Sequence, residues 1–125
     1  MREGEASSKS LGKKGEDIAC RALKKNKYRV VGKNFRCRQG EIDIIAEDKK
    51  GVLCFVEVKA RSRDDFGLPV EAVTHHKQKR LLAAAFVYLE KNRIKSMDMR
   101  FDIVSVDLVK GETEIIKNAF DVDYD

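Results

Sequence analysis

Apolar residues recur at the three- and four-residue spacing of an amphipathic helix in two stretches of the chain. The first stretch runs from residue 8 or 10 to about residue 25, and a serine at its start can cap the helix. The second begins near residue 70, or after Thr74, and lasts to about residue 92. The residues that we expect these helices to bury are Ile18, Ala19, Ala22 and Leu23 in the first, and Leu81, Leu82, Ala85, Phe86 and Leu89 in the second.

Elsewhere the apolar positions form short β-rich or alternating runs that are typical of strands. Three runs lie between the helices, at about residues 28–38, 41–46 and 52–60, and we expect the first to bend at Gly32. A run near residues 99–109 and a shorter one within ETEIIKNAF follow the second helix. The order α-β-β-β-α-β-β, with the second helix as a crossover from a hairpin to a further strand, predicts an α/β fold with a mixed central β-sheet flanked by helices.

The chain length of 125 residues fits a single domain. We expect a flexible N-terminal segment over residues 1–10, the folded domain over residues 11–120 and a short C-terminal tail over residues 121–125. The polar segment at residues 61–69, which contains a glycine and the single proline, is expected to be a surface loop.

The cysteines and the apolar runs predict the compartment. The three cysteines have no Cys-x-x-Cys spacing, which fits a reducing environment. The first ten residues contain no apolar signal region, and the longest apolar run, LLAAAFVYL, is much shorter than the roughly 20 residues of a membrane span. We therefore expect a cytoplasmic protein that has no membrane segment.

Positive charge is concentrated in the N-terminal third of the chain. Residues 1–40 carry 12 Lys and Arg against 4 Asp and Glu, whereas the whole chain has a net charge of +5. Such clustering suits binding to a polyanion, because each phosphate that a basic side chain neutralises releases condensed counterions. A solvated cationic helix face is an equally good interpretation of the charge alone.

Ionisable residues interrupt the apolar runs of the predicted hairpin. Because alternate side chains of a strand share one face, Glu41 projects with Asp43, and Glu57 projects with Lys59. Asp43 meets Glu57 if the paired residue numbers of the two strands add up to an even value, and a slip by one residue separates them. The sequence leaves this register open.

If the two carboxylates meet, a cation has to compensate them, since an unpaired buried charge costs several kcal/mol. Lys59 supplies one positive charge, and a hard divalent ion such as Mg²⁺ can supply more, because it is commonly held by one or two carboxylates with water and phosphate. Glu16 lies at the edge of the first helix's buried stripe, where a carboxylate also needs a partner. The alternative is an edge hairpin with a wet polar face and an ion pair of small value.

Other polar residues flank this set in sequence. Glu41 is either a support for the carboxylates or a solvent-exposed strand end. A loop at Phe66-Gly67 either moves over a substrate or only anchors the chain. The candidate nucleic-acid contacts, each of which could also be an ordinary surface residue, are Lys13, Lys14, Arg36, Arg38, Arg61, Lys77, Gln78 and Arg80.

Six segments in combination resemble a known family: GEDIA, NFRCRQGEIDIIAED, FVEVKARS, FGLPVEAVTHHKQKRL, RFDIVSV and the closing NAF. The chain resembles the YraN-like family of small bacterial proteins, predicted endonucleases of the PD-(D/E)xK, or restriction-endonuclease-like, superfamily. The resemblance implies a restriction-endonuclease-like fold with Asp43 and Glu57 as metal-binding carboxylates and Lys59 as the catalytic lysine. It also implies that Glu16 is an additional metal or water-mediated ligand. Ile42 stands where the superfamily motif has proline.

The resemblance implies a Mg²⁺- or Mn²⁺-dependent endonuclease that hydrolyses phosphodiester bonds, most simply in branched or otherwise structured DNA, in the manner of archaeal Holliday junction resolvases. One alternative is a non-catalytic nucleic-acid-binding or scaffold protein with the same fold, and another is an RNA-directed nuclease. A homodimer is a further hypothesis, by analogy with enzymes that pair two sites to cut the two strands of a junction.

Overall fold

The computed structural model describes residues 8–62, 73–95 and 98–121, with side chains from residue 12 onward. In chain order, the elements are α1 (Ser8–Lys25), β1 (Arg29–Cys37), β2 (Gly40–Glu47), β3 (Leu53–Arg61), α2 (His75–Lys91), β4 (Met99–Asp107) and β5 (Thr113–Ile116). The predicted order of helices and strands is confirmed. Helix α1 already includes residues 8–10 of the segment expected to be flexible, whereas the Phe66-Gly67 loop lies outside the described residues.

The five strands form one mixed sheet in the order β1-β2-β3-β4-β5. Strand β3 is antiparallel to β2 and parallel to β4, so α2 is the crossover that the parallel pair requires. The β1–β2 pairing shifts register between Val30 and Gly32, which is the irregularity expected near that glycine. The predicted α/β fold, a mixed sheet flanked by helices, is confirmed. Within the described ranges, no helix is long and apolar enough to cross a membrane.

The two helices pack on opposite faces of the sheet. Ile44 and Val56 belong to the apolar cluster that contains the buried face of α1, and their neighbours Ile45 and Phe55 belong to the cluster of α2. Both faces of the central strands are therefore buried, which explains their nearly continuous apolar sequence. Within α2 the prediction for Phe86 is wrong, because this side chain is exposed.

A charged network at the start of β4 is part of the core. The Asp102 carboxylate is fully buried and accepts hydrogen bonds from the Arg100 guanidinium at 2.9 Å and from the backbone N–H of Asn118 at 2.9 Å. Arg100 also contacts the Asp48 carboxylate at 2.8 Å and the Tyr28 hydroxyl at 2.9 Å. Since each charge has partners, the network links both sheet edges to β4 without leaving a buried ion unpaired.

Helix α1 approaches the sheet closely at Gly15. A methyl group at this position would lie 2.8 Å from the Ala60 Cβ, whereas one at Gly12 would meet nothing within 4 Å. The missing side chain lets α1 pack directly on β3. Glu16 is the next residue along α1 after this contact with β3.

Candidate metal and nucleic-acid site

The hairpin register brings the predicted carboxylates to one place. The β2–β3 pairs run from Glu47 opposite Leu53 to Ile44 opposite Val56, so the paired numbers add up to an even value. Asp43 and Glu57 are the next residues along the two strands. The register that the sequence left open is therefore the one that brings them together.

The Asp43 carboxylate takes the place of a backbone acceptor. Its Oδ2 atom accepts a hydrogen bond of 2.8 Å from the backbone N–H of Val58. A partly buried N–H needs an acceptor, and here the side chain of one strand supplies it to the next strand. The bond fixes the Asp43 carboxylate at the end of the hairpin beside Glu57.

Negative charge accumulates around Asp43. Burial raises the pKa of its carboxyl group from 3.8 to about 7, with further increases from the charges of Glu57 and Glu16, although the hydrogen bond from Val58 acts in the opposite direction. A cation placed beside such a carboxyl group stabilises its ionised form, which burial and neighbouring charges otherwise disfavour. The hairpin end therefore has the electrostatic character of a cation site.

A cation from α2 reaches this site. The Lys77 ammonium group lies 2.6 Å from the Glu57 Oε2 atom; 48% of the Lys77 side chain and 12% of the Glu57 side chain are exposed. Lys77 stands in the first turn of α2, where its backbone N–H donates to the Thr74 hydroxyl at 3.2 Å. We expected Lys59 to compensate the pair, and the long-range partner of Glu57 is Lys77 instead.

The other two predicted site residues are half-buried on neighbouring elements. Glu16 lies on α1, close enough for its charge to raise the pKa of Asp43. Lys59 lies on β3, two positions after Glu57, and so on the same side of the strand. No group of three His, Cys, Asp or Glu side chains in the described ranges is arranged to hold a metal ion. The site thus offers a close carboxylate pair, with Glu16 and Lys59 at its border.

A cleft of about 320 Å³ opens beside the carboxylate pair. Its lining combines acidic, basic and small or apolar residues: Arg36, Cys37, Gly40, Glu41, Asp43, Glu57, Lys77, Arg80 and Leu81. Gly40 is needed for this packing, because a Cβ at that position would lie 3.1 Å from the carbonyl oxygen of Arg80. The sequence pattern gave no signal for Cys37, Gly40 and Leu81, which only the packing of α2 on β2 brings to the cleft.

Several predicted nucleic-acid contacts already have local partners. The Arg36 guanidinium lies 3.2 Å from the Glu41 carboxylate, and both side chains are exposed. Glu41 therefore borders the cleft, and its supporting role for the metal carboxylates stays a prediction. The Gln78 side-chain amide donates to the carbonyl of Val73 at 3.1 Å and closes the start of α2. A hydrogen bond from the Gln78 amide to a phosphate, as predicted, would therefore compete with its bond to Val73.

The remaining predicted contacts lie on four parts of the fold. Lys13 and Lys14 are exposed on α1, and Arg38 is exposed in the turn after β1. Arg61 is half-buried at the end of β3, where its carbonyl accepts a 2.7 Å hydrogen bond from Leu108. Arg80 lines the cleft, and its Nε atom donates to the carbonyl of Gln39 at 3.2 Å. Of these groups, Arg80 lies at the cleft beside the carboxylate pair, and the roles of the others in nucleic-acid binding stay predictions.

Comparison with known sequences identifies relatives along nearly the whole chain. The model of "Uncharacterised protein family UPF0102" matches residues 15–106. A UPF0102 protein of Geobacter sulfurreducens is 40% identical over 125 residues, covering 98% of this chain and 97% of its own. A UPF0102 protein of Persephonella marina is 45% identical over 113 residues, covering 90% and 95%.

Comparison with solved structures gives weaker similarity. A repair endonuclease from Pyrococcus abyssi aligns with a TM-score of 0.41 and 18% identity, covering 89% of this chain and 41% of that one. The SfsA protein of Pyrococcus furiosus, solved in complex with Ca²⁺, aligns with a TM-score of 0.34 and 14% identity, covering 91% and 65%. The chain thus spans less than two-thirds of the length of either structure.

Proposed function

The chain belongs to the uncharacterised protein family UPF0102, the YraN-like family that its motifs resemble, and we propose that it is a metal-dependent endonuclease. Its substrate is DNA, most simply branched or otherwise structured DNA. The observation that carries the proposal is the carboxylate pair of Asp43 and Glu57, held together beside a cleft that basic side chains border.

The donor set of the site fits Mg²⁺ or Mn²⁺. Asp43 and Glu57 provide carboxylate oxygens from adjacent strands, and Mg²⁺ is usually held by one or two carboxylates with water and substrate phosphate. Glu16 on α1, whose charge acts on Asp43, is an additional metal or water-mediated ligand in this proposal. When bound, the ion would polarise a phosphoryl oxygen and lower the pKa of an attacking water.

The chain's own cations complete the site. Lys59 follows Glu57 on the same side of β3, so its ammonium group can orient a water or stabilise the negative charge that develops on the phosphate. Arg36, Arg80 and Lys77 border the cleft and can bind the phosphates on either side of the cleaved bond. The proposed chemistry is phosphodiester hydrolysis at the end of the β2–β3 hairpin.

A polyanionic substrate agrees with the distribution of charge. The N-terminal third holds 12 basic residues against 4 acidic ones, and the exposed residues Lys13, Lys14 and Arg38 belong to it. Contacts of this kind hold the nucleic-acid backbone without reading its sequence, which suits recognition of shape. We further propose that two copies of the chain act together when both strands of a junction are cut.

A cleavage panel tests the proposal. The wild type, Asp43→Ala and Glu90→Gln, in which the changed carboxylate is exposed on α2, are incubated with single-stranded, duplex, flap and four-way-junction DNA and with matched RNA. Each reaction contains EDTA, Mg²⁺ or Mn²⁺. We expect metal-dependent cleavage of a DNA substrate by the wild type and Glu90→Gln but not by Asp43→Ala. Equal cleavage by all three proteins would refute the assignment of Asp43, and preferred cleavage of RNA would change the substrate.

One observation favours a second candidate, a nucleic-acid-binding protein without cleavage. Lys77 already neutralises Glu57, as an internal cation can do in a site that no longer uses a metal. Binding of DNA by the wild type in the panel, with no cleavage under any metal condition, is the result that this candidate predicts.

A further inference from the structure

The ion pair between Lys77 and Glu57 lies inside the proposed metal site, and its two members differ in exposure. Glu57 is on a central strand and only 12% of its side chain is exposed, whereas 48% of the Lys77 side chain is exposed. We infer, on the basis of the proposed function, that Lys77 fills the cation position beside Glu57 in the metal-free protein. On metal binding it moves to a backbone phosphate of the nucleic acid.

The helix start fixes the backbone of Lys77 but leaves its side chain free to move. The Thr74 hydroxyl accepts from the Lys77 N–H at 3.2 Å, and the Gln78 amide donates to the Val73 carbonyl at 3.1 Å, so the first turn of α2 is anchored twice. A lysine side chain has a flexible four-carbon stem and a well-hydrated ammonium group. The ammonium group can therefore leave Glu57 without any change in the helix.

Charge balance favours this exchange. One ammonium group offsets one carboxylate of the pair, and the second, Asp43, lies beside it on the adjacent strand. A divalent ion between Asp43 and Glu57 offsets two charges and repels an ammonium group at the same carboxylate. The ion and Lys77 consequently compete for Glu57.

The position of Lys77 gives the released ammonium group a second partner. Lys77 lines the same cleft as Arg36 and Arg80, the two arginines proposed to bind phosphates. Since a free ammonium group there attracts phosphate, metal binding strengthens nucleic-acid binding, and by thermodynamic reciprocity nucleic acid strengthens metal binding. The single lysine couples the two ligands.

Metal affinity tests the competition directly, without reference to cleavage. Mn²⁺ is titrated calorimetrically into the wild type, Lys77→Gln and Lys79→Gln, where the control removes the same charge from an exposed residue of the same helix turn. We expect Lys77→Gln to bind Mn²⁺ about 3- to 10-fold more tightly than the wild type, because the metal no longer has to break an ion pair of modest strength. Lys79→Gln should bind Mn²⁺ with an affinity within about 2-fold of the wild-type value. Unchanged or weaker binding by Lys77→Gln would overturn the inference.

DNA affinity tests the second half of the exchange. The dissociation constant for four-way-junction DNA is measured in EDTA and in Ca²⁺, a hard divalent ion that also binds carboxylate oxygens. We expect Lys77→Gln to weaken binding by about 3-fold or more in Ca²⁺ and by less than about 2-fold in EDTA, where the lysine is held by Glu57. An equal effect in both conditions would contradict the exchange.

The Mn²⁺ titration distinguishes a failure of the proposed metal site from a failure of the proposed displacement of Lys77. If the wild type and Lys77→Gln both take up no Mn²⁺ even at millimolar concentration, the carboxylate pair is not a metal site and the proposed function is wrong. If both bind Mn²⁺ with equal affinity, the metal site stands and only the displacement of Lys77 is wrong.

Discussion

The crowded carboxylate Asp43 makes the protein's stability depend on pH in an unusual direction. Its pKa is about 7 in the folded chain against 3.8 for the ordinary group, so the native state holds a proton that the unfolded state has lost. The sign follows from proton linkage: where the native state binds more protons than the unfolded state, the free energy of unfolding falls as pH rises. The fall starts above about pH 4 and ends above about pH 7.

The size of the effect follows from the two pKa values. Integrating the linkage relation between 3.8 and about 7 gives a loss of about 2 to 3 kcal/mol on going from pH 5 to pH 8 without metal. Because the charges of Glu57 and Asp43 interact, this loss belongs to the pair and not to one carboxyl group.

The change Asp43→Asn removes the titration and keeps the shape, and its amide oxygen can still accept from the Val58 N–H. We therefore expect urea unfolding in EDTA to give a wild-type stability that falls by about 2 to 3 kcal/mol from pH 5 to pH 8, relative to the variant. Glu41→Gln, which changes an exposed carboxylate of the same cleft, should retain the wild-type slope. Parallel pH profiles for the wild type and Asp43→Asn would refute the reasoning.

Three further changes, two of them paired with a control, test the scaffold and the chemistry. Gly15→Ala should cost about 1–3 kcal/mol in urea unfolding, because the new methyl group meets the sheet at 2.8 Å, and should lower the cleavage rate. Gly12→Ala, in open space on the same helix, should instead be neutral or stabilise by about 0.5–1 kcal/mol, so equal effects of the two would count against the close packing. Asp102→Ala should destabilise by about 3–5 kcal/mol, since it removes the buried acceptor of hydrogen bonds from Arg100 and from the Asn118 N–H, and Asp121→Ala, at an exposed position, should change stability by less than about 0.5 kcal/mol. Lys59→Gln should slow single-turnover cleavage about 100-fold or more with DNA affinity within about 3-fold, and a loss in affinity alone would contradict a role in the chemical step.

Periodicity along the chain predicts much of the fold because each element buries a regular stripe or face. Ile44 and Ile45 pack into different cores on the two faces of the sheet, as expected for a strand that is buried on both sides. The spacing of Leu81, Ala84 and Ala85 is that of a helix with one buried face. The pattern of apolar positions does not specify how deeply each side chain is buried. Phe86, one position beyond this face, was therefore wrongly expected to be buried.

The candidate site was only partly predictable, because its geometry depends on contacts between distant segments. Asp43 and Glu57 could be identified as anomalous charges in apolar strands, but a two-residue period permits either register, and the packing of both sheet faces selects one. The partner of Glu57 depends on where the crossover helix lands on the sheet, so the sequence could not choose between Lys59 and Lys77. The motif thus predicts the carboxylates, and only the tertiary structure supplies their cation.

The most direct test of the central claim, that the Asp43–Glu57 pair binds a divalent ion and cleaves DNA, is the single-turnover cleavage rate of a four-way junction by the wild type and Asp43→Asn. We expect cleavage by the wild type in Mg²⁺ or Mn²⁺, none in EDTA, and a rate at least about 1,000-fold lower for Asp43→Asn. Cleavage that persists in EDTA, or that Asp43→Asn supports at the wild-type rate, would contradict it.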